Sequence, residues 1–321
     1  MTSETVLAAI RRHHQSPEVL RQWARDNLGL FDRLALDELE RLVLDSPGPG
    51  TRLAGGSDTR DLFDPERVAE NVFAPADIKV ELLLLDLLEM ISSLRRDHTR
   101  QLGILQQWTT RLVQLGVLDD AHDRCQAALT LIRERGLGDE HETDMRQQLA
   151  IIFQEAGLHD RAVSEFERVL EFDVRSGDRL GVARTTGNLA IAHGAAGDQE
   201  RALALHGQAA EHFTACAEDP RWTVPAVRGA GLEYLQIGLT LEKMHREDEA
   251  LTFLDHGTQI LRAMPGESDR PLVTALLAMA RCARTLGLAD QALAAAEEAA
   301  TRAAEAGMPE LAAEARDLLR P

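Results

Sequence analysis

Residues 187–203 read GNLAIAHGAAGDQERAL: an apolar, alanine-rich run, a Gly-Asp turn, and the start of a second helix-like run. A glycine followed five places later by an alanine recurs as GVLDDAH at 116–122, GLHDRAV at 157–163 and GLADQAL at 287–293. HREDEAL at 245–251 repeats the pattern with His245 in the glycine position. Aligned on Ala121, Ala162, Ala202, Ala250 and Ala292, the copies are spaced 41, 40, 48 and 42 residues apart, a period expected of stacked helical pairs.

The residues around each anchor share a packing logic. Thirteen places before it stand Trp108, Leu149, Leu189, Ile237 and Met279; nine before, Leu112, Phe153, His193, Leu241 and Ala283; four after, Cys125, Phe166, His206, Leu254 and Ala296. These offsets put one face of a first helix (A) against one face of a second (B). The small anchor lets the helices cross closely, and the glycine can end helix A in a left-handed turn. Asp198 or Asp160 then offers an oxygen to cap helix B. Each hairpin buries its open face only against its neighbours, so the chain is predicted to be an all-α solenoid of about five hairpins. MPELAAEARDLL at 308–319 reads as a terminal capping helix.

This pattern resembles the tetratricopeptide repeat (TPR) family over residues 99–321, in the longer subtype found in kinesin light chains and bacterial peptide-sensing regulators. RTTGNLAIAHGAAGDQERALALHGQAAEHF, residues 184–213, matches most closely. The resemblance implies a right-handed superhelix whose inner face is lined by the A helices, with an Asn in the NLA context gripping the backbone of a ligand.

Residues 1–75 do not follow the repeat. They read as short helices near Val6–Arg12, Pro17–Asn27 and Leu34–Leu44, then a Gly/Pro/Ser-rich mobile loop over 46–61. A connecting segment, 76–98, holds a helix from Ala76 to Leu94 so apolar that the N-terminal helices or a second copy of the chain must cover it, which leaves a homodimer through 76–94 open. The formal net charge of -18 disfavours nucleic acid. No signal peptide or membrane span is evident, and Cys125, Cys216 and Cys282 form neither a disulfide framework nor a zinc motif; a cytoplasmic chain is expected.

Fourteen places before the anchors stand Gln107, Gln148, Asn188, Gln236 and Ala278. Four amides spaced by one repeat could pair with the N–H and C=O groups of an extended peptide, largely regardless of its sequence. Arg184, Glu242, Arg281 and Arg284 fall on the same helical face, and Arg281 with Arg284 could clamp an acidic group. Trp222, between Pro220 and Pro225, reads as a loop anchor or as a ring folded onto its own scaffold.

His193, His206 and His212 show no metal-ligand spacing, so neither metal nor cofactor is expected. Asp86 and Glu89 interrupt the apolar helix and would suit acid–base chemistry if left unpaired, although a neighbouring arginine could neutralise them. No phosphate-binding loop or nucleophile motif appears. The reading is a non-catalytic scaffold for an extended peptide or protein tail. A ligand-responsive regulator acting by protein contact is the first alternative; an enzyme or accessory protein with a pocket near the N-terminal helices is the second.

Overall fold

The computed structural model describes residues 17–28, 31, 36–37, 39, 76–264 and 269–320. The expected helix at Val6–Arg12, the loop 46–61 and most of 34–44 lie outside them. The described residues are all-helical, without a strand, and the chain divides into two compact units, Met1–Ala156 and Gly157–Pro321.

In the first unit, α1 (Pro17–Asp26) packs on α2 (Ala76–Leu94), followed by α3 (His98–Leu115), α4 (Leu118–Arg135) and α5 (Asp139–Glu155). Leucines 82–85, 87 and 88 and Ile91 of α2 are buried within the chain, together with Leu20, Ala24, Phe31, Leu36 and Leu39. That stretch therefore has a cover without a second copy. Its carboxylates are also engaged: Asp86 accepts from Arg21 Nη2 at 2.6 Å and Nε at 2.8 Å, and Glu89 accepts from Gln101 at 2.6 Å.

The second unit runs α6 (His159–Ser176), α7 (Arg179–Ala195), α8 (Gln199–Cys216), α9 (Thr223–Lys243), α10 (Glu247–Arg262), α11 (Arg270–Thr285), α12 (Ala289–Glu305) and α13 (Pro309–Leu318). Helices α7/α8, α9/α10 and α11/α12 are hairpins, as is α3/α4 in the first unit, and α13 closes on α12 and α11. A helices also touch the next A helix, α7 to α9 and α9 to α11, so each hairpin is buried from the side as well as across its own crossing.

The predicted packing positions are the core. Ala121, Ala162, Ala202 and Ala250 are buried, as are all five residues thirteen places before the anchors and all five four places after. Ala292 is the exception and is half-buried.

The turns follow the repeat even where its residues do not. Gly116, Gly157, Gly197 and Gly287 have φ of 77°, 73°, 95° and 74°, and His245 takes the same left-handed turn at 56° despite its Cβ. Asp198 caps α8, accepting from the Arg201 N–H at 3.0 Å. Asp160 does not cap: α6 begins one residue before it, so its carboxylate lies in the first turn, where it complements the helix dipole. The extra residues before the fourth hairpin are shared between the connection, 217–222, and the helix: α9 is 21 residues long and carries Pro225 in its first turn, where a missing N–H costs nothing.

Candidate functional site

The amides lie on a definite helical face. Positions twenty-two, eighteen and fourteen before each anchor follow i, i+4, i+8, one stripe along an A helix. On α3 this stripe is Thr99, Gly103 and Gln107, and all three line a cleft of about 670 Å³ together with Leu36, Arg100 and Ile104.

In the second unit the stripe is Leu180, Arg184 and Asn188 on α7, and Arg228, Leu232 and Gln236 on α9. Its first two positions on both helices line a cleft of about 650 Å³ whose apolar walls include Phe213, Val224, Met264 and Leu272. Asn188 and Gln236 stand one turn further along the same stripes. Each unit thus has a cleft on an amide-bearing face, although only Gln107 is itself in a lining and the stripe of Gln148 on α5 borders neither of these two clefts.

Gln107, Gln148, Asn188 and Gln236 are all half-buried, and none makes a side-chain hydrogen bond among the described residues. The Gln107 amide oxygen is fully buried and has no hydrogen-bond partner among the described residues. An acceptor removed from water and left unpaired loses its full hydration, so the position favours an incoming donor.

The charged candidates separate into two groups. Arg281 donates from Nε and Nη2 to Glu242 at 2.6 and 2.9 Å, and from Nη1 to Glu314 at 2.7 Å. It ties α11 to α9 and α13, so the structure pairs Glu242 with Arg281 and engages the guanidinium that the expected acidic clamp needs. Arg284 is exposed on the next turn. By contrast Arg184 is exposed, and its one ion pair among the described residues is with Asp178, at 3.9 Å. Arg184 therefore lines the apolar cleft as an uncommitted cation, whereas Arg228, also in the lining, is engaged.

Trp222 sits at the start of α9 with 43 % of its surface exposed and is followed by Val224 at 68 %. Among the described residues no group of three or more metal-ligating side chains is brought together.

Two features escaped sequence reading. Arg228 belongs to the stripe only once the first turn of α9 is known to be helical. His206 occupies an apolar packing position yet meets Glu233 of α9, with Nδ1 2.7 Å from Oε2. A buried imidazole demands a polar partner, but the spacing of 27 residues to Glu233 is set by the lengthened α9 connection.

Residues 143–215 match the family model for the tetratricopeptide repeat. A comparison with curated proteins found no significant match. Among solved structures, the apo form of the quorum sensor NprR from B. thuringiensis superposes with a TM-score of 0.56 at 13% identity, covering 88% of this chain and 79% of that one. NprR in complex with its cognate peptide NprX gives 0.51 at 14% identity, covering 88% and 81%. A Podosopora anserina kinesin light chain of nearly identical TPR-like repeats gives 0.50 at 16% identity, covering 64% and 95%. The chain carries a tetratricopeptide-repeat segment at 143–215 within a TPR-like all-helical repeat fold, the fold it shares with a kinesin light chain and with the quorum sensor NprR.

Proposed function

We propose that this protein is a non-catalytic scaffold that binds an extended peptide or protein tail on the amide-bearing faces of its A helices. One observation carries the reading: in each unit, a helical stripe that bears an amide, on α3 in the first and on α7 and α9 in the second, lines a cleft. Unspent amide groups match the alternating N–H and C=O groups of an extended backbone. The apolar cleft one turn from Asn188 and Gln236, with the exposed Arg184 in its lining, suits a ligand with an apolar side chain next to an acidic group. NprR holds a peptide on a related fold, in agreement with this use of the scaffold.

The test is selection from a random peptide library on wild type, followed by affinity measurement on Asn188→Ala and Arg184→Ala. Each variant is expected to lose about 1–3 kcal/mol of binding, the cost of unpairing a buried polar group, while melting like wild type. Selected peptides that bind both variants as tightly as wild type rule the site out.

A further inference from the structure

We propose that the opposite, B-helix side of the second unit is a second docking surface, and that it takes an amphipathic α-helix with an apolar stripe and basic flanks. It goes beyond the peptide reading and uses different residues.

A groove of about 720 Å³ runs between α8 and α10. Its α8 wall extends from Leu203 to Ala215, about 18 Å at helical rise, and is built largely from small residues, Gly207 and Ala210 among them. Its floor is apolar, with Ile237 and Leu241 of α9, and its far wall carries Phe253, stacked on Tyr234 at 6.3 Å between ring centroids.

Gly207 supplies an independent sign of an occupant. Glycine inside a helix weakens it, and close packing usually explains its presence. A Cβ on Gly187 would meet Glu233 at 2.3 Å, on Gly229 Phe213 at 2.4 Å, on Gly231 Ile260 at 2.7 Å and on Gly238 Leu254 at 2.5 Å. Among the described helix-interior glycines, only Gly103 and Gly207 have nothing within 4 Å of that position. Both line clefts. Bare backbone facing an open groove lets another backbone approach closely, and a helix over three turns long fills the length of the α8 wall.

Charge selects the kind of helix. Arg246 on the groove is neutralised by Glu249 at 2.6 Å, whereas Glu211 and Glu218 line it without an ion pair among the described residues. A second copy of the chain, with a formal charge of -18, is repelled by that rim; a basic partner is attracted.

The probe is a fluorescein-labelled 15-residue helix with leucine at i, i+3, i+4, i+7 and i+11 and lysine on its flanks, compared with a twin carrying glutamate for lysine. At physiological salt, wild type is expected to bind the lysine helix at least tenfold more tightly than the twin. Gly207→Trp starts from a Cβ with nothing within 4 Å, sets a ring in the groove, and is expected to weaken binding at least tenfold while melting at or above the wild-type temperature. Glu211→Lys with Glu218→Lys is expected to weaken it similarly. Reversal of the exposed pair Glu297 and Glu305 on α12, and Asn188→Ala on the other face, are expected to leave it unchanged. The proposal is overturned if wild type does not prefer the lysine helix or if Gly207→Trp binds it normally. It is equally overturned if the α12 reversal or Asn188→Ala weakens binding as much as the groove variants.

Discussion

Glu233 is wedged between His206 and the bare backbone of Gly187. One carboxylate oxygen lies 2.7 Å from the imidazole Nδ1, and the other lies 2.3 Å from where a Cβ on Gly187 would stand. Three helices, α7, α8 and α9, thus meet at one buried polar contact. Burying such a pair carries a desolvation cost, but it fixes which residues of the three helices can face one another.

Gly187→Ala is expected to destabilise the protein by about 1–3 kcal/mol through this overlap. In a Glu233→Ala background the same change should be close to neutral, because the oxygen it strikes has gone. Urea denaturation of the four proteins measures the coupling. An equal cost in both backgrounds would show that the clash is not with Glu233.

Arg281 and Arg284, one turn apart, should behave differently. Arg281→Ala strands Glu242 and loosens α11 from α9 and α13, with an expected loss of about 1–3 kcal/mol. Arg284→Ala, at an exposed site, should stay within about 0.5 kcal/mol. If both variants melt like wild type, the Glu242–Arg281–Glu314 contact has no structural weight and Arg281 returns as a ligand contact.

Glu298 accepts from Arg262 at 2.6 Å and from Arg302 at 2.9 Å. The Arg262 hydrogen bond, aided by Arg302, holds its carboxyl below the usual carboxylate range against the opposing effect of burial. A carboxyl that titrates lower in the folded than in the unfolded chain stabilises fully above the unfolded value, about 4.3, and stops doing so as pH falls through the folded value. Glu298→Gln is therefore expected to cost up to about 1 kcal/mol at neutral pH, limited by solvent screening. The gap from wild type should close towards pH 3. Paired denaturation curves at both pH values check it; a gap that persists in acid contradicts the assignment.

All three thiols are buried, and desolvation pushes the Cys282 thiol up to about 11. Since the thiolate is the reactive form, a disulfide exchange reagent should label the native protein slowly and all three cysteines promptly in denaturant. Rapid native labelling of Cys282, located by mass spectrometry, would mean that α11 opens locally.

Much of the fold was legible because it repeats. One hairpin is an ambiguous signal, but Trp108, Leu149, Leu189, Ile237 and Met279 at a single offset make five independent readings of one packing position, and all five are buried. Helix α2 was legible from its apolar run alone. The candidate site was half legible. Its stripe follows from helical geometry, but whether a charged side chain on that stripe faces open space depends on partners far away in sequence. Glu314, 33 residues from Arg281, decided that case. Asp160 misled because its helix starts one residue early, a shift that propensity does not resolve.

His245 bears on how such proteins are counted. The family model recognises 143–215, yet helical hairpins continue to Leu318. Beyond 215 a histidine bends the chain where glycine does in its sisters, and alanines stand at 283 and 296 where bulkier residues stand in other copies. Backbone geometry persists here without the residues by which it is usually recognised, so a census of repeats by residue pattern sets a floor on the length of such an array.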